Sequence, residues 1–364
     1  MAASPSSQLN RSAQEPATNG PKDQKVQISI EEATQLCHNM LQKAGYSPEQ
    51  AWIITDHLVD AEMRGHPFAG LARALSIVEQ LQFSVAPSAH EIEVTRSGLT
   101  FAHLDGHGAV GNLVAYEATK IAVEKAKSAG VAVVGANGFW YSGNLAYYAE
   151  MATRENLIVF IASNGTPIVA PHGGYEPKVC TNPFCIGFPS NELDQPIIWD
   201  IGTSNIMYAQ VKLAERLGTN IPEGSAYDNE GNLTTDPLKA LQGALSVWGG
   251  HKGSGLAIMV QLLGIAAGSA EPTPLLSDFG YLVLAFDPSI LQPLDRVKGC
   301  ADKLSQSVRE TKMLPGQGPA RMPHERSSQS RSIAKKQGVL SVEAKVVEQL
   351  RKYLEACISR MGDQ

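Results

Sequence analysis

Gly106-His107-Gly108-Ala109-Val110-Gly111 matches the G-x-G-x-x-G pattern that opens a dinucleotide-binding Rossmann unit. It follows an alternating run, Leu99, Phe101 and His103, and precedes a helical run from Asn112 to Ser128. That arrangement would set a pyrophosphate on the helix N-terminus. It also requires a carboxylate for the ribose hydroxyls about 20 residues on, at the end of the next strand. The chain reads Gly135-Ala136-Asn137 there. Without that acid the Rossmann reading fails, and the glycines read as a tight turn and close helix packing. Any nucleotide this chain binds needs a differently built site.

Downstream of that stretch, Gly130 ends the helix as a C-cap and Val131 to Val134 reads as a buried strand. Tyr147 to Arg154 has helical spacing. Leu157 to Ala162, Ile186 to Phe188, Ile197 to Ile198 and Gly280 to Phe286 read as strands. Thr219 to Pro237 is turn-rich, and Leu256 to Ala267 is an apolar helix. Asp295 to Glu310 is an amphipathic helix, Gln317 to Lys336 is polar and irregular, and Val342 to Ile358 closes the chain as a helix. Upstream, Ser29 caps a helix with Glu32 completing a capping box. Ser47 precedes a second helix with Pro48 at its first position, where Trp52, Ile53, His57, Leu58 and Ala61 recur at helical spacing. A third helix spans Ala72 to Leu81, and Ile92 and Val94 start a strand that turns at Ser97-Gly98. The pattern predicts an α/β fold with a discontinuous helical domain drawn from both termini. Its parts are a disordered tail at 1–25, a helical domain at 26–110 with 296–364, and an α/β domain at 111–295.

Composition narrows the function. The chain has 364 residues, 43% of them hydrophobic, enough for a sizeable core. Net charge is −6 with 18% charged residues, which argues against nucleic acid as the partner. No apolar run reaches the length of a membrane span, and the first 25 residues carry no apolar signal core. Cys37, Cys180, Cys185, Cys300 and Cys357 form no C-x-x-C pair, which fits a reduced, cytoplasmic protein. No metal-ligand spacing is present.

Several segments, in order, carry a resemblance. They are Arg64-Gly65-His66, Gly70-Leu71-Ala72-Arg73, Ala170-Pro171-His172-Gly173-Gly174 and Thr181-Asn182-Pro183. Further on come Asp200-Ile201-Gly202-Thr203-Ser204, Thr234-Thr235-Asp236-Pro237, Gly249-Gly250-His251-Lys252-Gly253-Ser254-Gly255-Leu256 and Pro323-His324-Glu325-Arg326. From about residue 28 onward the chain resembles the malate/lactate dehydrogenase-like family. This non-Rossmann (type 2) group includes ureidoglycolate, sulfolactate and diketogulonate oxidoreductases and cyclic-imine reductases. The resemblance implies a mixed, mostly antiparallel central sheet, a homodimer with sites near the subunit interface, and NAD or NADP as cofactor. It places Ser142, Gly143 and Asn144 along the nicotinamide. It places His172, Gly173, Thr181, Asn182, Ser204, Lys252, Gly253 and Arg326 along the rest of the cofactor. The residue types suit that use. Lys252 is a point charge for a phosphate, and Arg326 can clamp one in bidentate fashion. Gly173 lets backbone approach a ligand, and Thr181, Asn182 and Ser204 offer uncharged hydrogen bonds.

The departures fall on the chemistry. After Arg64-Gly65-His66 the family reads acidic-Ser-His-Gly, and its Ser and His act with the Asp of D-x-x-T-S. This chain reads Pro67-Phe68-Ala69-Gly70. Asp200 remains without the histidine it would orient, and Arg73 remains where the family's substrate-side arginine sits. At the family's N-x-N-H-F-G segment, Tyr141 stands in the place of the histidine. Tyr141 is either a proton donor with a tuned hydroxyl or an aromatic wall. His66 is a further candidate if its loop re-aims it; otherwise it is a packed histidine. Tyr141, Asp200, Arg73 and His66 are thus the candidate catalytic residues. The function expected is NAD(P)H-dependent reduction of a C=N, C=O or activated C=C bond in a small biosynthetic substrate. The alternatives are a catalytically degenerate relative that binds nucleotide or a partner, and a non-redox enzyme reusing the pocket.

Overall fold

The computed structural model describes residues 25–81, 91–192, 194–270 and 277–362. Of the tail expected at 1–25, all but Lys25 lies outside the described residues. Ser29 and Ser47 cap α1 (Ile30–Lys43) and α2 (Pro48–Met63) as their sequence positions predict, and α3 (Leu71–Leu81) follows. These helices pack with α11 (Ala344–Gly362) around Met40, Leu41, Ile54, Leu58 and Leu71, all buried. The termini are joined by an antiparallel ribbon of β1 (Lys25–Ser29) and β12 (Val339–Glu343), so the helical unit is discontinuous in sequence. The ribbon replaces the helical start expected at Val342. Alternation of Leu340 and Val342 with Ser341 carries a two-residue period that is too short to read without its partner strand.

The main sheet has seven strands in the order β2-β3-β4-β11-β5-β7-β8, where β2 is Glu93–Ser97, β3 Phe101–Val110, β4 Val131–Trp140, β5 Ile158–Ser163, β7 Phe184–Phe188, β8 Ile197–Ile201 and β11 Phe279–Phe286. Only β3 and β4 pair in parallel, linked by α4 (Gly111–Ala129); every other neighbouring pair is antiparallel. β2 and β3 therefore belong to this sheet, although they precede position 111. Helix α4 lays a stripe of Ala115, Ala118, Ala122 and Ala126 on it, all fully buried. Small side chains at helical spacing let the helix sit close. The glycines of Gly106 to Gly111 serve this contact. A Cβ at Gly111 would come 2.3 Å from the carbonyl oxygen of Tyr141, and one at Gly106 would come 2.8 Å from Val114.

Successive strand residues face opposite sides. Tyr281 of β11 reaches α4, its hydroxyl 2.8 Å from Thr119 Oγ1, whereas a Cβ at Gly280 would strike Gly264 of α8 (His251–Ala266). The sheet is thus sandwiched between α4 and α8. Helix α8 begins five residues before its expected start, because Gly253 is forced by packing rather than by a turn: a Cβ there would lie 1.6 Å from the Trp248 carbonyl oxygen. Its outer residues Ile258, Met259, Leu262 and Ile265 are exposed, beside Val131 and Val133 on the same side of the sheet. The segment read as irregular from Gln317 contains α10 (Glu325–Gln337), whose buried residue is the charged Arg331. An apolar stripe is absent there, so periodicity could not reveal it. Helices α5 (Leu145–Arg154), α6 (Tyr208–Leu217), α7 (Pro237–Gln242) and α9 (Leu294–Arg309) and a three-stranded sheet, β6 (Val169–Ala170), β10 (Ala244–Ser246) and β9 (Ala226–Tyr227), complete the fold. No helix among the described residues is long and apolar enough to cross a membrane.

Candidate active site

β4, β5 and β8 run in one direction, and β7 and β11 run against them. The carboxyl ends of the first three and the amino ends of the last two therefore meet at one edge of the sheet. A cavity of about 550 Å³ opens there. Segment 141–144 after β4, Asn164 and 166–168 after β5, Cys180, Thr181 and Pro183 before β7 and Asp200 in β8 line it, and the start of α3 closes it from the helical unit. Its walls are largely apolar, with Phe68, Ala69, Ile168, Met207, Leu245 and Phe279 among them.

Tyr141 follows the last residue of β4 at φ 56°, a left-handed conformation that a bulky residue holds only when its surroundings impose it. The imposition is visible. The Tyr141 carbonyl is wedged against Gly111, Trp140 meets its ring edge-on at 5.2 Å, and the Arg73 guanidinium lies 4.3 Å from the ring centroid. Arg73 is half-buried, and its Nη1 is buried without a hydrogen-bond partner among the described residues. A cation over an aromatic face is favourable. The unpaired guanidinium nitrogen still leaves room in its chemistry for an anionic ligand group. Tyr208, after β8, lines the same cavity; burial first, then the neighbouring Tyr141, raises its hydroxyl to about 12.

Asp200 is buried. Burial raises its carboxyl to about 6, against the opposing pull of the backbone N–H groups of Ala146 and Leu145 and of nearby Arg64. Oδ2 accepts from Ala146 N at 2.8 Å, so Asp200 anchors the first turn of α5, as an acceptor at a helix N-terminus should. Ala69 leaves it no imidazole to orient. His66 lies where the first cavity meets a second of about 220 Å³, and His66, Asn144 and Asp200 line both. Burial, with Arg64, Arg326 and His324 nearby, depresses His66 to about 4, so it is neutral at physiological pH. Arg321 and Arg326 edge the second cavity.

Behind the two cavities sits a buried ionic cluster. Glu150 of α5 accepts from Arg64 Nη2 at 2.7 Å and from Arg331 Nη1 at 2.8 Å, and Arg64 and Arg331 also pair with Asp60. His324, at φ 75°, brings Nε2 to 2.7 Å from Arg64 Nη1. Because arginine only donates, Nε2 accepts there. The ring proton is on Nδ1, 3.3 Å from Ser327 Oγ, and the 3.1 Å approach of Nε2 to Glu150 is a contact rather than a bond. Burial, joined by both arginines, holds His324 below its ordinary value, in agreement with that tautomer.

The candidate set divides. Tyr141, Arg73, Asp200, His66, Ser142, Gly143, Asn144 and Thr181 line the first cavity, and Arg326 lines the second. Six others lie away from both linings. The Asn182 Nδ2 donates to Ala257 O at 2.7 Å and Gln261 Oε1 at 2.9 Å while its Oδ1 is buried without a partner among the described residues, and Ser204 Oγ donates to Ile206 O at 2.7 Å. His172, Gly173, Lys252 and Gly253 gather at the start of α8, where His172 N donates to Ser254 Oγ at 3.1 Å. Lys252 is an exposed first-turn residue of that helix, not a residue of a glycine-rich turn. Sequence reading missed Tyr208, Asn112, Glu150 and His324. Of these only His324 stood in a segment that carried the resemblance, Pro323-His324-Glu325-Arg326.

The raised carboxyl of Asp200 has a consequence for stability. An acid whose folded value lies above its unfolded value destabilises the fold as pH rises through the interval between them. The interval here is 3.8 to about 6. Asp200→Asn is expected to be more stable than wild type at pH 7.5 by up to about 3 kcal/mol, at about 1.36 kcal/mol per unit, and to converge with it below pH 4. Urea unfolding at four pH values measures this; a variant less stable than wild type at pH 7.5 would show that the buried charge is held favourably.

A family model described as malate/L-lactate dehydrogenase matches residues 28–351. Malate/(S)-sulfolactate dehydrogenase of Methanothermus fervidus is 32% identical over 337 residues, covering 89% of this chain and 96% of that protein. The Delta(1)-pyrroline-2-carboxylate/Delta(1)-piperideine-2-carboxylate reductase of Pseudomonas putida is 29% identical over 330 residues, covering 87% and 94%. The sulfolactate dehydrogenase structure from Methanocaldococcus jannaschii superposes with a TM-score of 0.79 at 27% identity, covering 91% of this chain and 97% of that one. Sequence and fold agree along almost the whole described chain, which therefore belongs to the malate/L-lactate dehydrogenase family of oxidoreductases.

Proposed function

We propose that the protein is an NAD(P)H-dependent reductase of a small carboxylate bearing a C=N bond, of the cyclic-imine kind, with C=O and activated C=C substrates as further members of the class. The observation that carries the reading is the pairing of a buried, unpartnered Arg73 nitrogen with Tyr141 in a cavity walled by Phe68 and Ala69. Arg73 offers the substrate carboxylate its counter-charge, and Tyr141 offers a proton. The residues present fit a nicotinamide dinucleotide. Two cavities share His66, Asn144 and Asp200, and the second is edged by Arg321 and Arg326. Ser142, Gly143, Asn144 and Thr181 would hold its nicotinamide half and Arg326 a phosphate. Bound there, the cofactor supplies the hydride.

The family's Ser and His positions are Phe68 and Ala69, so nothing at α3 exchanges a proton with a substrate hydroxyl. An iminium carbon needs no such acid because its nitrogen arrives protonated. His66, neutral near pH 7, is a poor donor; the Tyr141 hydroxyl serves substrates that do need a proton. Relatives include proteins named as reductases of pyrroline-2-carboxylate and piperideine-2-carboxylate, which supports this reading. The exposed apolar face of α8 supports a homodimer, and a small polar substrate suits a cytoplasmic enzyme. Oxidation of NADH and NADPH would be followed with cyclic-imine carboxylates, 2-keto acids and, in reverse, malate and lactate. Imine reduction is expected to exceed malate oxidation by about 10²-fold or more, the usual worth of a general acid/base. Malate oxidation at a comparable rate would sink the reading.

A further inference from the structure

Asn112 is the second residue of α4 and lines the first cavity, yet it is 1% exposed. Neither its Oδ1 nor its Nδ2 has a hydrogen-bond partner among the described residues. Its neighbours are already committed. His57 Nε2, at the back of the same turn, accepts from Asn144 N at 2.9 Å, and Gly143 packs so tightly there that a Cβ would come 2.6 Å from that nitrogen and 3.1 Å from Asn112 Nδ2. Nor is Asn112 a helix cap: Val110 holds that position, with no side-chain bond. Buried amides with both ends unpaired are rare, because each end gives up its water for nothing. An apolar residue of the same size would avoid the penalty, so the amide is there for a partner that the protein itself does not supply.

The amide's chemistry defines that partner. It presents one donor and one acceptor in a single plane, and its complement is a group presenting an acceptor and a donor side by side. A carboxylate does not qualify, since it would set an oxygen against Oδ1, and Arg73 already offers a carboxylate better chemistry. A primary carboxamide qualifies on both ends. We propose that Asn112 reads the carboxamide of the nicotinamide ring, with Nδ2 donating to its carbonyl and Oδ1 accepting from its amino group. The assignment rests on the reading of the cavity as a nicotinamide site. It makes Asn112 a selectivity residue for the cofactor's reactive end, next to the turn that carries Ser142 and Gly143.

The test compares the reduced dinucleotide that the wild type binds with its 3-acetylpyridine analogue, which keeps the carbonyl and replaces the amino group by methyl. Binding is read by quenching of tryptophan fluorescence, Trp140 lying against Tyr141. Wild type is expected to bind the analogue about 10-fold more weakly, and Asn112→Leu to bind the parent about 10-fold more weakly and the two ligands within about twofold of each other. The leucine variant should melt at or above the wild-type temperature, since it removes two unpaired polar atoms. Should it not fold, Asn112→Ala supplies the same ratio. A wild-type ratio near one, or a ratio that survives the substitution, overturns the proposal while leaving the nicotinamide site standing. A wild type that binds neither NADH nor NADPH overturns both.

Discussion

Glu150→Gln is expected to destabilise the protein by about 3–5 kcal/mol, the usual consequence of removing one partner from a buried ion pair. Arg64 and Arg331 have side chains 0% and 7% exposed, and Glu150 accepts a hydrogen bond from each of them. Glutamine keeps the shape and one acceptor but removes the charge, leaving two guanidinium groups to share Asp60 away from water. Burial alone would raise the Glu150 carboxyl; the guanidinium groups of Arg331 and Arg64 outweigh it and hold the group below the ordinary carboxylate range. A depressed carboxyl stabilises the fold above its unfolded value, near 4.5, and that contribution fades as pH falls through the folded one. The difference between wild type and variant should therefore be full at pH 7 and shrink under acid. Urea unfolding gives the magnitude. Hydrogen exchange adds the location, with α10 losing protection first because Arg331 is its buried residue. A variant within about 1 kcal/mol of wild type at pH 7 would mean that the cluster is solvated.

Tyr141→Phe is the corresponding test of the chemistry. Where the substrate needs a proton, kcat is expected to fall by about 10²-fold or more while cofactor affinity barely changes. The split is expected because the ring is retained: its contacts with Trp140 and the Arg73 guanidinium at 4.3 Å do not involve the hydroxyl. The left-handed backbone at φ 56° suits phenylalanine no worse than tyrosine, so the fold should be unaffected. Substrates that arrive as iminium ions should lose much less. Uniform loss across imines and ketones would point to a packing role, and unchanged turnover of ketones would remove Tyr141 from proton transfer.

Much of the site was legible in the sequence because its signals are local. The missing acid at Gly135-Ala136-Asn137 excluded the Rossmann unit, and the order of short segments from Arg64 to Arg326 fixed the family. Phe68, Ala69 and Tyr141 stood out from their positions alone, and all three line the first cavity. Capping chemistry placed the starts of α1 and α2, since a serine oxygen and the backbone N–H that donates to it lie within one turn. Glycine was harder. Gly253 lay outside the helix expected from Leu256, but its absent side chain serves the contact with the Trp248 carbonyl inside that helix.

Pairings across long separations were decided by the tertiary structure. Glu150 and Arg331 are 181 residues apart, and Arg64 and His324 are 260 apart. A buried charge looks like a surface charge until its partner is known, which is why α10 read as irregular. The same holds for Asn112, an ordinary polar residue in the first turn of α4 until the walls around it are built and its amide is left without a partner. Sequence alone determined the family and the starts of α1 and α2, because each is written in neighbouring residues. Only the folded chain decided which polar groups are paired and which are not, because burial and distance belong to the packed structure and to no single stretch of it.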